Sequence, residues 1–434
     1  MTALRDDCFL HDAATGEQRL SHADAVARLA TAVAPLSRTE TIALPALVGR
    51  VLAEMVDATS PVPAHTNAAV DGYAFDAAGH AALGGHPLAV SGRSTAGHPH
   101  GLTAPAASAV RILTGAVLPA GTDTVAMQED CTLDAASSPP TVTIPMGLKR
   151  GANVRRAGED LAGGERLFEP GHIVRAQDIA ALASIGRATA LCYARPRIAV
   201  VSTGDEVVRP DPANPLGALP LGHVYDANAP MLVALAEASG AIVDDLGIWP
   251  DERDEVTRRL ARAAADYDIV LTSGGASRGE EDHIAAALAS LGRRHFWQIN
   301  VKPGRPLMLG QIGETIIGGL PGNPVAVFVC TLLYIGPLIR ARTGAPWREP
   351  RRYPLRAAFA FKGRKQGRRE FWRGILVDTP QGLAVDRFQR DGSGLISGLR
   401  AADGLIDIAE DHGDIAEGDM VDFIPFAEFG IGAR

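Results

Sequence analysis

The stretch LTSGGASRGEEDH, residues Leu271–His283, combines an apolar start with a centre of small and charged residues. The apolar run YDIVL leads into it, and the helical pattern IAAALASLG leads out of it. Glycines, serines, an arginine and three acids lie between these two runs. An apolar run that gives way to glycines and then to a helix predicts a strand, a tight loop and a helix N-terminus. Such a loop lets backbone N–H groups approach an anion closely.

The same alternation of strand and helix continues on both sides of this stretch. It predicts βαβ units with right-handed crossovers and a mostly parallel sheet. The segments, in order, are the strand RIAVVSTG (197–204), the helix NAPMLVALAEASG (228–240), the strand AIVDDLGIW (241–249), the helix DEVTRRLARAAAD (254–266), the strand TIIGGLPG (315–322) and the helix NPVAVFVCTLLYIGPLIRA (323–341).

The flanking sequence has a different pattern. Short runs separated by Gly, Pro, Asn and Asp extend to about residue 170, and the same pattern returns from Arg352 to the end. This pattern is typical of β-rich domains with many turns. Two further helices are predicted, SHADAVARLATAV (21–33) and AQDIAALASIG (176–186), the second closed by Gly186.

Composition and charge exclude several classes of protein. The 434 residues predict three or four domains. The formal net charge of −8 argues against a nucleic-acid binding protein. No apolar run was expected to reach the ~18 residues of a membrane span, and the N-terminus lacks a signal pattern. The four scattered cysteines indicate reduced thiols in a cytoplasmic protein, rather than a disulfide or zinc site.

Three strands of the predicted sheet end in sequences suited to phosphate. Ligands of open α/β sheets bind beyond the carboxyl ends of the strands, so these ends are expected to form one site. The alternative is that each glycine-rich turn only closes a tight connection. The candidate residues are Ser202, Thr203 and Gly204 at the first end, Ser273, Gly274, Gly275 and Ser277 at the second, and Pro321, Gly322 and Pro324 at the third.

Acids and cations accompany these strand ends. Glu206, Asp251 and Asp282 are expected on the same rim, where clustered carboxylates call for a cation, and Mg²⁺ is the natural one. Alternatively, each acid only complements a helix N-terminus. Lys302 and Arg305 flank a Pro-Gly turn and fit an oxyanion site, although both could be solvated loop cations.

The chain resembles the molybdopterin molybdenumtransferase family, known as MoeA in bacteria and similar to the C-terminal part of gephyrin. The similarity covers essentially residues 20–430. The motifs that carry it are AAVDGYAF (68–75), ILTGAVLPAGTDTVAMQED (112–130), GANVRRAGEDL (151–161), STGDE (202–206), the loop of residues 273–282, KPGRP (302–306), LPGNPV (320–325), GRREFWRG (367–374) and RDGSGLISGL (390–399).

The resemblance implies a multidomain protein of α/β and β parts. An elongated helical and β segment would comprise residues 19–45 and 162–190, and a β-rich domain, 46–161, would be inserted between these pieces. A molybdopterin-binding α/β domain would follow at 191–346, and a small C-terminal β-barrel at 347–434. Family members are homodimers, and their active cleft lies between the α/β domain of one subunit and the inserted domain of the other.

The resemblance also implies an activity. The enzyme would take molybdate and adenylylated molybdopterin, insert molybdenum at the dithiolene, and release AMP with the help of Mg²⁺. The product would be the molybdenum cofactor. Contacts with molybdopterin adenylyltransferase and with molybdenum-enzyme maturation proteins are expected, and contacts with nucleic acid or membranes are not.

The resemblance assigns roles residue by residue. Asp71, Thr114, Asp160 and Glu206 would be catalytic. Glu206, Asp251 and Asp282 would hold the metal. The strand-end residues given above, with Asp251, Asp282, Lys302, Arg305, Arg369 and Ser393, would bind substrate. From residue chemistry alone, Asp71 could be a turn acid, Thr114 a strand-end hydroxyl and Asp160 a capping acid.

Two departures from the family pattern concern charge. Gln298 stands where many members carry a lysine, and Arg278 stands where they usually carry a small or apolar residue. We hypothesise that Arg278 restores the lost charge. The alternative functions are a molybdopterin adenylyltransferase, a scaffold on the same dimeric fold and a tungstate-specific paralogue. An adenylyltransferase needs only the α/β domain and would leave the flanking β domains unexplained.

Overall fold

The structure is a computed structural model that describes residues 3–4, 19–211, 213, 219–274, 283–390, 392 and 394–432. In its N-terminal half, helices and strands are short, and strands outnumber helices among the described residues. The elements are α1 (His22–Ala32), β1 (Thr39–Ala43), β2 (Val56–Asp57), β3 (Asn67–Ala68), β4 (Gly72–Phe75), α2 (Ala77–Ala82), β5 (Leu88–Ser94), β6 (Ser108–Ile112), β7 (Thr124–Met127), β8 (Thr132–Asp134), β9 (Thr141–Thr143), β10 (Val154–Arg155), β11 (Arg166–Phe168), α3 (Ala176–Ser184) and β12 (Thr189–Tyr193).

The next part of the chain alternates strands and helices. Its elements are β13 (Arg197–Thr203), β14 (Val207–Val208), β15 (Val224–Tyr225), α4 (Asn228–Ala238), β16 (Ile242–Trp249), α5 (Arg253–Asp266), β17 (Ile269–Ser273), α6 (His283–Leu291), β18 (Arg293–Gln298), β19 (Val301–Lys302), β20 (Pro306–Ile312), β21 (Thr315–Leu320), α7 (Pro324–Cys330), a π-helical turn (Thr331–Ile335) and α8 (Gly336–Arg342).

The C-terminal part returns to β structure. Its elements are β22 (Tyr353–Ala357), β23 (Arg369–Thr379), β24 (Gly382–Arg387), α9 (Ile396–Ala401), β25 (Gly404–Ile408) and β26 (Met420–Pro425). Strands β23, β24, β22, β26 and β25 pair in this order, and β25 pairs back with β23. The C-terminal sheet is therefore a closed five-stranded barrel, as predicted.

The α/β sheet has the order β16-β13-β17-β21-β20-β18. The first four strands are parallel, and β20 and β18 form an antiparallel edge that the sequence analysis did not specify. Successive residues of the central strands alternate between two cores: Ile198 and Val200 face one, Ala199 and Val201 the other. A parallel sheet with helices on both faces requires such apolar strands. The predicted multidomain α/β-plus-β fold is confirmed.

The inserted β domain is built on the sheet β7-β4-β6-β5-β9-β8. Two further two-stranded pairs, β1–β12 and β2–β11, each join residues that precede this sheet in the sequence to residues that follow it. Helix α1, by contrast, packs into the same core as the α/β sheet, through Ala25, Val26 and Leu29. The domain boundaries given above stay predictions.

One continuous helical stretch among the described residues, Pro324–Arg342, has the length and composition of a membrane span, with a mean hydropathy of 1.8. The sequence analysis did not anticipate an apolar run of this length. Because 83% of its most apolar window is buried inside the protein, its place in the core accounts for its composition.

A buried histidine links α1 to this helix. His22 Nδ1 lies 2.8 Å from the hydroxyl of Tyr334, and the imidazole is only 4% exposed. Burial, and to a lesser degree the charge of Arg369, lowers the pKa of His22 to about 4. The imidazole is therefore neutral in the folded protein at pH values where an unfolded chain would bind a proton.

This histidine predicts a loss of stability in acid. The unfolded His22 takes up a proton near pH 6.5 and the folded one only near pH 4, so its contribution is complete above pH 6.5 and is lost as the pH falls towards 4. The difference corresponds to about 3 kcal/mol. Thermal midpoints measured between pH 7.5 and 4.5 should fall more steeply for the wild type than for His22→Gln. Parallel curves would contradict this assignment.

Candidate active site

The carboxyl ends of the parallel strands meet, as the site prediction requires. Ser202 of β13 is in register with Ser273 of β17, and Ser273 is in register with Leu320 of β21. On the other side of β13, Thr203 is in register with Trp249 of β16. The loops that follow these four strands therefore begin side by side on one edge of the sheet.

Two glycines allow the first two loops to pack closely. Gly204 has a φ of +126°, and a Cβ atom there would lie 2.5 Å from Oε2 of Glu206. Gly274 has a φ of +91°, and its Cβ would lie 2.7 Å from Oγ1 of Thr203. A side chain at either position would displace the carboxylate or separate the two strand ends.

A buried polar network ties three of the strand ends together. Asp226 accepts a 2.5 Å hydrogen bond from Ser202 Oγ and two 3.0 Å bonds from the backbone N–H groups of Asn228 and Ala229 at the start of α4. Asn228 Nδ2 then donates to Ser273 Oγ at 2.8 Å and to the carbonyl of Gly322 at 2.7 Å. The network fixes the spacing of the β13, β17 and β21 loops.

Removing the centre of this network should destabilise the sheet edge. Asn228→Ala deletes both side-chain bonds and leaves the buried Ser273 hydroxyl without this partner, so we expect a loss of about 1–3 kcal/mol in the free energy of unfolding. Urea denaturation would measure it. Asn300→Ala is a matched control, because the amide of Asn300 makes one exposed bond to Gly367. Equal losses in both variants would contradict the network's role.

Acidic side chains gather beside the first strand end. The backbone N–H of Asp251 donates to Asp205 Oδ1 at 3.5 Å. Burial raises the pKa of Asp251, and the negative charges of Asp205 and Glu206 raise it further, while His283 opposes the shift. Asp205, Glu206 and Asp251 therefore share one electrostatic environment, which a cation would stabilise.

The carboxylates of this rim fit a Mg²⁺ ion that is also bound by waters and a substrate phosphate. Among the described residues, no three His, Cys, Asp or Glu side chains are grouped so that they could hold a metal ion by themselves. Mg²⁺ usually binds through one or two carboxylates, keeps several waters and shares the oxygens of a substrate phosphate. Glu206 and Asp251 can supply those carboxylates without forming a complete protein cage.

Several predicted site residues lie outside the described part of the chain. The structure says nothing about their positions. They are Gly275, Ser277, Asp282 and Ser393, together with Arg278, the arginine expected to compensate for Gln298.

A cavity of about 420 Å³ opens between the α/β domain and the barrel, and we call it the cationic cavity. Among the described residues that line it, five are basic and none is acidic. The predicted cations Lys302 and Arg305 are two of the five, and Arg368, Arg373 and Arg387 are the others. Lys302 Nζ lies 3.3 Å from the carboxylate of Glu370, which is buried behind the lining. In a protein with a net charge of −8, a lining with this many basic residues is chemically suited to an anion.

The cationic cavity and the strand-end network share one loop. Pro321 and Asn323 line the cavity, while the carbonyl of Gly322 between them accepts the hydrogen bond from Asn228. Pro324 follows at the first position of α7, where its missing N–H costs no helical hydrogen bond. A ligand in the cavity and a ligand at the strand ends would therefore contact opposite sides of the same loop.

The structure distinguishes two adjacent arginines in the barrel. Arg369, the predicted binding residue, donates to both carboxylate oxygens of Asp407 at 2.7 and 2.8 Å and does not line the cavity. Its neighbour Arg368 lines the cavity. Of these two neighbours only Arg368 reaches the cavity, and the binding role of Arg369 stays a prediction.

The predicted residues of the inserted domain fall in two places. Asp71, in the turn before β4, accepts hydrogen bonds from both the hydroxyl and the backbone N–H of Thr114, each at 2.7 Å. These two bonds hold the pKa of Asp71 below its ordinary value. Asp160 is bonded through its backbone to Val62, at the far end of the strand pairing that joins residues 62–69 to 153–161.

Asp71 and the acidic rim are not bonded to each other within one chain. In the described part of the chain, no hydrogen bond or ion pair joins residues 61–161 to residues 194–346. No such bond within one chain therefore holds Asp71 next to Glu206.

The sequence analysis did not single out Asp226, Asn228 or Arg368. Asp226 was detectable in VYDANAP, since an aspartate just before a helical run is a typical capping residue, but no local signal pointed to the partners of Asn228. For Arg368 no such signal existed, because GRREF offers two neighbouring arginines.

Comparisons with known proteins give the same family for successive parts of the chain. Three family models match it: the MoeA N-terminal region (domain I and II) at residues 20–186, the probable molybdopterin binding domain at 199–341 and the MoeA C-terminal region (domain IV) at 354–426. The chain is 35% identical over 393 residues to a molybdopterin molybdenumtransferase of Haemophilus influenzae, covering 90% of this chain and 94% of that one. It is 32% identical over 409 residues to molybdopterin molybdenumtransferase 2 of Mycobacterium tuberculosis, covering 92% and 96%.

The solved structures give the same result. The crystal structure of the molybdopterin biosynthesis MoeA protein from Pyrococcus horikoshii superimposes with a TM-score of 0.79 at 25% sequence identity, covering 94% of this chain and 99% of that one. Sequence and fold thus agree over the inserted domain, the α/β domain and the barrel alike. The chain belongs to the MoeA family of molybdopterin molybdenumtransferases, which are transferases of molybdenum cofactor biosynthesis.

Proposed function

We propose that this chain inserts molybdate into adenylylated molybdopterin and releases AMP in a Mg²⁺-dependent step. One observation carries the proposal: a cavity lined only by basic and uncharged described residues shares a loop with strand ends that are flanked by acids. The substrates need both environments, because molybdate is a dianion and the pyrophosphate needs backbone donors and a divalent ion.

Different residues would bind the pyrophosphate and the molybdate. The backbone at Gly204, Gly274 and Gly322 lies where it can approach the pyrophosphate. Lys302, Arg305 and Arg368 lie where they can bind the molybdate oxygens. When bound, Mg²⁺ would neutralise charge on the phosphates, and Glu206 and Asp251 are the residues positioned to hold it.

We further propose that the working enzyme is a homodimer with a shared cleft. The lack of any hydrogen bond or ion pair between residues 61–161 and 194–346 in the described part of one chain supports this arrangement, since a second copy could bring Asp71 to the acidic rim. In this arrangement Asp71, held by Thr114, would orient the attacking water. A role for Asp160, a cytoplasmic location and partner enzymes stay predictions.

The test is an assay of AMP release from adenylylated molybdopterin, with Mg²⁺ and molybdate each omitted in turn. The proposal expects release only when both are present. Tungstate run in parallel would reveal a tungstate-specific enzyme, and consumption of ATP would indicate an adenylyltransferase. A folded protein that turns over no substrate under any of these conditions would point to a scaffold and would refute the proposal.

A further inference from the structure

The segment just before α1 lies against the cationic cavity. Leu20, only 4% exposed, donates its N–H to the carbonyl of Gln298 at 3.1 Å, and its own carbonyl accepts from Asn300 N at 2.7 Å. Ile299, between these two residues, donates its N–H to the carbonyl of Arg305 at 3.1 Å. The 298–300 backbone therefore has the N-terminal segment on one side and Arg305 on the other.

This pairing fixes the position of Arg19. Its Nε donates to Gln298 Oε1 at 3.1 Å. Because Gln298 is uncharged, this contact orients the guanidinium without neutralising it. Arg19 itself is exposed and does not line the cavity, so it can act on a bound anion only through its charge.

The positive charge of Arg19 acts on Arg305, which lines the cavity. The pKa of Arg305 is lowered by burial first and then by the positive charges of Arg19 and Arg368. Three arginines from three distant parts of the sequence thus repel one another at this point. An anion bound among them would relieve that repulsion.

We propose that Arg19 is a positioning residue for oxyanions: held by Gln298 on the segment that pairs with Arg305, it raises the affinity of the cationic cavity for a small dianion. This inference rests on the proposed function only in taking the cationic cavity as the molybdate site. The charge that is missing at Gln298 would then be supplied by Arg19 of the N-terminal segment, whereas the sequence prediction assigned this role to Arg278.

The probe is molybdate itself, titrated calorimetrically into the full-length protein at low ionic strength. A unit charge about 10 Å from a dianion in a water-like dielectric changes affinity about fourfold. Arg19→Ala should therefore weaken binding about fourfold, and Arg19→Glu about fifteenfold. Salt near 0.5 M should largely abolish both differences, because exposed charges at this separation are screened.

Two further variants separate charge from structure. Arg19→Lys keeps the charge but loses the Nε contact, so its affinity should stay near the wild type. The double variant Arg19→Ala/Gln298→Lys returns a charge to the same place and should recover most of the affinity. Arg262→Ala, which removes an exposed arginine of α5 outside the cavity, is the matched control and should change nothing.

The inference is overturned if Arg19→Ala binds molybdate as the wild type does, if Arg19→Lys loses as much as Arg19→Ala, or if the wild type binds no molybdate. It fails separately from the proposed function. A wild type that binds molybdate in an Arg19-dependent way but releases no AMP keeps this inference and refutes the function. If AMP release depends on molybdate but Arg19→Ala binds molybdate with unaltered affinity, the proposed function stands and this inference is refuted.

Discussion

Glu206→Gln is expected to lower the rate of AMP release by about 10²-fold or more. The carboxylate lies at the end of β13, directly over Gly204, and contributes to the negative potential that raises the pKa of Asp251. Glutamine has the same shape but no charge, so it keeps the packing against Gly204 and removes the anionic ligand. The loss therefore reports on the charge of Glu206 rather than on the fold around it.

Steady-state AMP release over a range of Mg²⁺ concentrations measures this effect. If Glu206 helps to hold Mg²⁺, the variant should need more Mg²⁺ for half-maximal rate as well as turning over slowly. Glu252→Gln is the control, because Glu252 is an exposed acid at the start of α5 and should behave as the wild type. Wild-type turnover by Glu206→Gln would remove Glu206 from the site.

Asp71→Asn should cause a loss of similar size, about 10²-fold, although Asp71 lies in another domain. Both Thr114 bonds go to Oδ1 of Asp71, so the amide oxygen of asparagine can still accept them, but asparagine lacks the negative charge that they stabilise. If the cleft is shared between subunits, the two substitutions should complement each other. A heterodimer of one Asp71→Asn chain and one Glu206→Gln chain has one cleft with both substitutions and one with neither.

Co-expression of the two variants with different affinity tags allows this heterodimer to be isolated. We expect it to recover about half of the wild-type rate per dimer, while each variant homodimer stays nearly inactive. A cleft built from a single chain would give no recovery, because every chain in the mixture carries a substitution. A monomeric wild-type protein in solution would also contradict the shared cleft.

Much of the α/β domain was predictable because short sequence patterns identify its strands and helices. RIAVVSTG and YDIVLTSGG are apolar runs that end abruptly in glycine, and a parallel sheet brings the ends of such runs together. The positive φ angles of Gly204 and Gly274 explain why glycine occurs there and not a residue with a side chain. Long-range partners were less predictable: nothing local in VYDANAP indicates that Asn228 bonds to Ser273 and Gly322.

The site in the barrel was harder to predict because it depends on which face of a strand a residue occupies. Arg368 and Arg369 are adjacent, and in extended chain neighbouring side chains point to opposite sides. A shift of one residue therefore exchanges the residue that pairs with Asp407 and the residue that lines the cavity. Arg19 was missed for another reason, since its role depends on backbone pairing with residues almost 300 positions away.

The two-residue strand β19 affects how an oxyanion would bind in the cationic cavity. Val301 and Lys302 pair in parallel with Arg369 and Glu370, so the α/β domain and the barrel are joined by backbone hydrogen bonds at the wall of the cationic cavity. Because this pairing joins the two walls before any ion arrives, we expect little ordering entropy to be lost when the cationic cavity binds an anion. Selection among tetrahedral anions should then follow their size and charge, with little contribution from domain closure around them.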